Sequence, residues 1–393
     1  MPNLRAWSGG VPAFLFATLL AASTPAASAE VGGAVLTPVP FAALPGFPGP
    51  EPAAALDAFR RVCAAPPPPL PQPTGVAGDP AALSAACADA LDVAPDAAAA
   101  FFRDRFEAYR VVKPGSERPG FLTGYFEPEL EGSLVQGPDF PTPVLARPDD
   151  LVSLAPGETR PGLDPALRAA RATAEGFGPY PDRAAIEDGA LGARARPTLW
   201  LRDAVDLLVL QVQGSGRVRL PEGRAVRVLY DGRNGQPYTA VAKLIVQEGH
   251  LPLEGLTLAR WTTWLRAHPE TARRLIRANA SYIFFRLAAV DDPALGPPGA
   301  ANAPLTPGRS LAVDGGLWRY GLPFWLVGQL PAGSPGETGR LVIAADTGSA
   351  IVGPARGDLF VGTGAQAGIA AGNLRDAIGF VVLLPKPARG VAP

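Results

Sequence analysis

Three aspartates in the C-terminal part of this 393-residue chain stand where a carboxylate could do chemistry. An apolar run, Leu341 to Ala345, delivers Asp346 to its end, Thr347 and Gly348 turn the chain, and Asp358 follows just before the apolar run LFVG. Upstream, SLAVDGG presents Asp314 in the same setting of an apolar run, an aspartate and glycine. Carboxylates at neighbouring strand ends can face one cleft. Crowded there, they raise one another's pKa, so that one stays protonated and serves as a general acid. Aspartates also cap turns by accepting backbone N–H groups, and spacing alone leaves both roles open.

The remaining composition removes other chemistries. Only two histidines occur, His250 and His268, which excludes three-histidine zinc sites and HExxH. Both stand outside the aspartate stretches and read as surface residues. Cys63 and Cys87 form no CxxC. With 35 Lys and Arg against 36 Asp and Glu, there is no basic surplus to neutralise phosphates, so nucleic acid is not an expected partner. Three aspartates could hold a hard cation, but acid chemistry needs one of them protonated, so no metal or cofactor is expected. DTGS after an apolar strand is also the signature of aspartic proteases. Those enzymes need two such aspartates, and one DTG occurs here.

The elements that must position these residues follow from texture. With 45 Gly and 46 Pro in a chain that is 47% hydrophobic, many turns and short strands are favoured, and the length suits two domains. The N-terminus carries Arg5, an apolar run from Val11 to Ala22 and Ala27-Ser28-Ala29, which reads as a signal peptide over 1–29. Its apolar run is shorter than the roughly 20 residues a bilayer needs, and no later stretch is long and charge-free enough to span one. No cysteine lies at the cleavage point to carry a lipid anchor. The expectation is a soluble protein exported to the periplasm. An oxidising compartment favours a disulfide between Cys63 and Cys87, stapling two helices across the proline-rich loop 66–72. Helical patterns fall near 54–64, 79–91 and 96–110, the last with Phe101, Phe102, Phe106 and Tyr109 as core. From 120 onward FLTGYFEP, LLVLQVQGSGRVRL, AVRVLYDG, FWLVGQL, GRLVIAAD and FVVLLPK read as short apolar strand runs. A helix pair over 258–280 interrupts them, and the Arg/Ala/Pro-rich passage 146–197 reads as surface loops. The class is mainly β with a helical N-terminal part.

Five ordered motifs make the chain recognisable. ADTGSAIVGPARGDLFVGTGAQAGIAAGNLRDAIG resembles the 3D domain of the lytic murein transglycosylase A (MltA) family, and LAVDGGLWRYGLPFWL is similar to that domain's first element. FLTGYFEPELEGS resembles the family's Thr-Gly-Tyr element. LLVLQVQGSGRVRLPEGRAVRVLYDGRNGQPY is similar to its Gln-Gly-Ser-Gly block with the following Asn-Gly-x-Pro-Tyr, and RANASYIFFR to a further Asn-x-Ser-Tyr element. The resemblance implies a double-ψ β-barrel domain with an inserted second β-domain and N-terminal helices. A helical part and first portion of the barrel would occupy 30–129, the inserted β-domain 130–280 and the 3D portion 281–388.

The implied activity is that of an exported peptidoglycan lytic transglycosylase, cleaving the β-1,4 bond from N-acetylmuramic acid to N-acetylglucosamine and leaving 1,6-anhydro ends. Glycan strands are the implied substrate, and complexes of cell-wall synthesis or division the implied protein partners. Carried over by motif, Asp358 is the acid and then base, Asp346 its close neighbour and Asp314 the third member. Thr123 lines the cleft, Tyr125 and Phe126 stack on sugar faces, and Gln213, Ser215 and Asn234 bond hydroxyls or acetamides, while Gly214 and Gly216 serve the backbone turn. The competing expectation is a catalytically silent peptidoglycan-binding scaffold of the same fold.

Overall fold

The computed structural model describes residues 29–68, 72, 77–115, 119–155, 158–328, 330 and 337–387. The signal peptide expected over 1–29 lies outside the described residues except for Ala29. The chain opens with β1 (Ala29–Val31), β2 (Ala34–Pro38), helices α1 (Pro52–Ala64), α2 (Pro80–Ala90) and α3 (Ala98–Arg105), then β3 (Phe106–Val112) and β4 (Gly120–Glu127). It leaves for β5 (Glu129–Ser133), β6 (Thr142–Leu145), β7 (Leu151–Ser153), β8 (Ala169–Thr173), β9 (Gly176–Pro179), α4 (Arg183–Glu187), β10 (Pro197–Leu201), α5 (Ala204–Gln213), β11 (Ser215–Arg219) and β12 (Ala225–Arg233). Helices α6 (Val241–Gln247), α7 (Leu258–Ala267) and α8 (Pro269–Arg277) precede β13 (Ile283–Ala288). The chain then returns through β14 (Ser310–Ala312), β15 (Pro323–Val327), β16 (Gly339–Asp346), β17 (Arg356–Thr363), α9 (Gly364–Asn373) and β18 (Arg375–Pro385).

The mainly β class with N-terminal helices is what the chain adopts. Strands β18, β15, β16, β14, β17 and β4 follow one another by hydrogen bonding, and β4 pairs again with β18, closing a barrel. The β14–β16 and β17–β4 pairs are parallel and the others antiparallel. Closure leaves no free edge in that ring, and β1 to β3 extend it from β18. Alternation along the strands sends Leu122, Leu311, Phe324, Val342, Leu359 and Phe380 inward to one buried core. Trp325, Leu341, Ile343 and Val381 point outward and are covered by Leu56, Phe59, Phe101 and Phe102 of α1 and α3. Phe59 is fully buried, and its truncation to Ala would cost about 3–5 kcal/mol. The expected disulfide is present: Cys63 on α1 joins Cys87 on α2 with Cα atoms 5.4 Å apart.

The excursion builds its own sheet, in the order β13-β12-β11-β5-β10-β6. Helix α5 packs Leu207 and Leu210 on that sheet and Val205, Leu208 and Val209 against the layer of α6 to α8. The two bodies meet at Glu127, whose fully buried carboxylate accepts Arg217 Nε at 2.8 Å, Arg227 Nε at 2.7 Å and the Thr363 hydroxyl at 2.8 Å. A carboxylate sealed from water needs such partners, and removing one of them strands a buried charge.

Three expectations about elements are corrected. The helix read over 96–110 ends at Arg105, and Phe106 and Tyr109 lie on β3, where pairing with β18 overrides a helical spacing. All four aromatic rings are nonetheless buried. LLVLQVQ is helix, not strand: Asp203 accepts the Asp206 N–H at 2.8 Å as N-cap, and Gly214 ends the helix at φ 81°. A run apolar on all sides carries no periodicity to tell the two apart. Residues 146–197 are not surface loops but hold β7 to β9, α4 and a buried centre. There the Arg183 guanidinium donates to Asn279 O, Gln211 Oε1 and Ser281 O, and Tyr180 donates to Asp150 at 2.8 Å. Polar residues are buried here because each finds a partner. Both histidines are at the surface, and each stacks on Trp264.

Candidate active site

Strand β14 is the pivot of the site. Its Ala312 pairs with Asp346 of β16 on one side and with Asp358 of β17 on the other, so barrel register alone brings both aspartates beside one residue. On the far side of β17, parallel β4 sets Thr123 opposite Asp358 and Tyr125 opposite Phe360. Residues in register share a face, and this one is the outer face of the barrel, since the intervening Leu122 and Leu359 fill its interior.

The Thr123 hydroxyl donates to Asp358 Oδ1 at 2.6 Å and accepts from Arg356 Nη2 at 2.8 Å. Arg356 also lies over the Phe121 ring, 5.3 Å from its centroid. Burial pushes the Asp358 carboxyl up to about 6, with Asp346 adding to the rise, against the downward pull of the Thr123 bond and the Arg356 charge. Asp346 accepts the Tyr125 hydroxyl on Oδ2 at 2.7 Å, and the Ala300 and Thr347 amides on Oδ1 at 2.8 and 2.9 Å. Burial pushes its carboxyl up, while those three donors favour the anion. Tyr125 is half-buried, and desolvation together with both facing carboxylates holds it well above its usual pKa, so it stays a donor. The two carboxyls are thus held differently, Asp346 by three donors that favour its anion and Asp358 by one hydroxyl.

Asp314 occupies a different position. Its Oδ1 accepts the Gly316 amide at 3.0 Å and its Oδ2 the Gly353 amide at 2.8 Å. It closes its own turn and clamps the loop between β16 and β17, and no hydrogen bond joins it to Asp346 or Asp358 among the described residues. Gln213 Oε1 accepts the Phe126 amide at 3.2 Å, tying the excursion to β4. Ser215 is half-buried at the start of β11. Gly216 is needed for close approach, since a Cβ there would lie 2.8 Å from Leu210 Cδ1.

Two sugar-contact expectations are corrected. Asn234 is fully buried, with Nδ2 donating to Pro181 O and Ala280 O and Oδ1 accepting from Tyr282 N, so its polar atoms are occupied in holding backbone. The Phe126 ring is buried against Gly368 and presents no face to a ligand. Sequence reasoning also missed Arg356 and Ala300. The string GPPGAANAP before SLAVD was the available signal for the latter, because a Cβ at Gly299 would lie 2.5 Å from Ala345 O and only glycine lets that loop approach. Among the described residues no three His, Cys, Asp or Glu side chains converge as metal ligands.

Residues 121–286 match the MltA specific insert domain and residues 309–384 the 3D domain. Membrane-bound lytic murein transglycosylase A of Vibrio cholerae is 30% identical over 203 residues, 50% of this chain and 53% of the relative. The Escherichia coli K12 protein of the same name is 29% identical over 206 residues, and the chain spans about half the length of the curated relatives it matches. Among solved structures, the membrane-bound lytic murein transglycosylase from Agrobacterium tumefaciens superposes with a TM-score of 0.78 at 33% identity, covering 89% of this chain and 97% of that one. The monoclinic form of MltA from Neisseria gonorrhoeae gives 0.74 at 30% identity, covering 94% and 97%. With an insert domain and a 3D domain both matched, and solved relatives at 33% and 30% identity each covered over 97% of its length, the chain belongs to the lytic murein transglycosylase A (MltA) family.

Proposed function

We propose that this protein is a peptidoglycan lytic transglycosylase, acting in the periplasm after export, with Asp358 as its single acid–base. The observation that carries the reading is the pairing of Asp358, raised to about 6, with an Asp346 held by three donors. Protonated Asp358 donates to the glycosidic oxygen as the bond from muramyl C1 breaks, and the N-acetylglucosamine side leaves as an alcohol. The Asp358 carboxylate then removes the proton from the muramyl C6 hydroxyl while that oxygen bonds to C1. The proton count closes, the 1,6-anhydro ring forms, and no water is consumed. Hydrolytic glycosidases generally need a second carboxylate to activate water or attack C1. An acceptor on the same sugar removes that need and gains an intramolecular advantage. Asp346 stabilises the positive charge that develops at C1, and general acid–base help contributes roughly 10²–10⁴ in rate. Thr123 and Arg356 hold the Asp358 carboxyl in one orientation.

Asp314 acts through the loop it clamps, and Gln213 and Ser215 stand beside β4 where glycan hydroxyls could be met. No helix among the described residues is long and apolar enough to cross a membrane. The test is Asp358→Asn with purified peptidoglycan. Retained binding to insoluble sacculi with release of soluble muropeptides lost by at least about 100-fold is expected. Full release by the variant would remove Asp358 from the mechanism.

A further inference from the structure

A groove of about 590 Å³ opens on the barrel surface beside Arg356. Arg356 and Phe121 lie two residues before Asp358 and Thr123 on the paired strands β17 and β4, on the same face, so the groove starts about 7 Å from the acid. Arg110, Lys113 and Arg356 line it, and no carboxylate does among the described residues. That is a local concentration of one sign in a chain whose net charge is −1. Between the cations lie apolar side chains left open to solvent: Val352 is 71% exposed, Phe121 45% and Val112 38%. Exposed apolar groups gathered in one concavity and rimmed by like charges mark a ligand surface.

We propose that this groove receives the acidic peptide stem of the muramyl residue being cleaved, its carboxylates meeting Arg110 and Lys113 and its apolar side chains meeting Phe121 and Val352. This rests on the lytic transglycosylase reading. The muramyl sugar whose C1 lies at Asp358 bears its lactyl-linked peptide on C3 of the same ring, so a stem leaving that sugar begins within a few ångströms of the acid. Arg356 stands between the two regions, touching Thr123 on one side and the groove on the other. The stem therefore supplies binding energy from a non-reacting part of the substrate and helps fix the reacting ring.

The test compares glycan strands carrying intact stems with the same strands stripped by an amidase that cuts the lactyl–peptide bond. The proteins are the wild type and Arg110→Glu, Lys113→Glu and the double variant, none of which touches the aspartate pair. The wild type is expected to cleave stem-bearing strands with a kcat/KM about three- to tenfold higher, as two partly exposed ion pairs allow. The double variant should lose that preference through KM while cleaving stripped strands at the wild-type rate. Raising salt until the screening length falls below about 8 Å should erode the wild-type preference in parallel, which gives a readout independent of any variant's folding. A wild type indifferent to stems, or a double variant equally impaired on both substrates, overturns the proposal. If the wild type forms no anhydro ends from either substrate, the lytic reading itself fails.

Discussion

Thr123→Val isolates the bond on which the acid–base assignment depends. The change removes a hydroxyl that donates to Asp358 Oδ1 at 2.6 Å while adding a methyl at nearly the same place. A hydrogen bond to a charged group contributes about 1.5–3 kcal/mol, and 1.36 kcal/mol corresponds to one pKa unit. The bond favours the anion, so its loss moves the Asp358 pKa upward by about 1–2 units. Arg356 loses its acceptor in the same change and still pulls Asp358 down, as solvent at this half-buried site also does, which keeps the shift near the lower figure. The first step needs protonated Asp358, so kcat falls above its pKa. The alkaline limb of the kcat–pH profile, near 6 in the wild type if free and bound enzyme titrate alike, should move to about 7. The plateau should drop about tenfold because the carboxyl is no longer held in one orientation. Quantifying anhydro-muropeptides released from saturating peptidoglycan across pH 4 to 9 reads both effects. A limb that stays in place or moves to lower pH would refute the assigned role of the Thr123–Asp358 bond.

Other perturbations test the rest of the site and its scaffold. Asp358 has a folded pKa of about 6 against 3.8 for the ordinary carboxyl, so its stability contribution is intact below about pH 4 and drains as pH rises through 6. Asp358→Asn should therefore melt above the wild type at pH 7.5, by at most about 3 kcal/mol before solvent screening reduces it, and level with it at pH 4; a lower melting point at pH 7.5 contradicts the buried-charge account. Replacing Cys63 and Cys87 by Ser opens a link across 24 residues and should cost about 3–4 kcal/mol in denaturant titrations, reproduced in the wild type by reductant; unchanged stability would make the staple decorative. Gly299→Ala must displace a Cβ from Ala345 O, taking the Ala300 amide from Asp346, and should lower kcat about tenfold or more; a fully active variant would show that this donor is dispensable.

The aspartates were legible because their signal is local: an apolar strand, an acidic residue, then a turn. Spacing left their separate roles open, and the family resemblance alone supplied an expectation for each. Tyr125 and Ala300 donate to Asp346, and Gly353 donates to Asp314 and makes it a loop clamp, contacts set by barrel closure. Arg356 escaped notice for the same reason, since its partner Thr123 lies 233 residues away and meets it only through the parallel β4–β17 register. The disulfide could be read from compartment and helical texture. Helix α5 could not be read because it is covered on both sides, by the sheet and by α6 to α8, and so carries no amphipathic period. The centre formed around Tyr180 and Arg183 was hidden by a composition that looks solvent-facing until its partners are known. Asn234 was misread in the opposite sense, as a ligand contact when its amide braces three backbone groups.

In the proposed mechanism one carboxyl group transfers muramyl C1 to the C6 oxygen of the same sugar. Digesting purified peptidoglycan in water enriched in ¹⁸O and weighing the muropeptides by mass spectrometry tests it most directly. Products lighter than hydrolysis products by one water, free of label and resistant to borohydride reduction are expected. Labelled, reducible ends would mean that water attacks C1, and a single acid–base at Asp358 could not then be the whole mechanism.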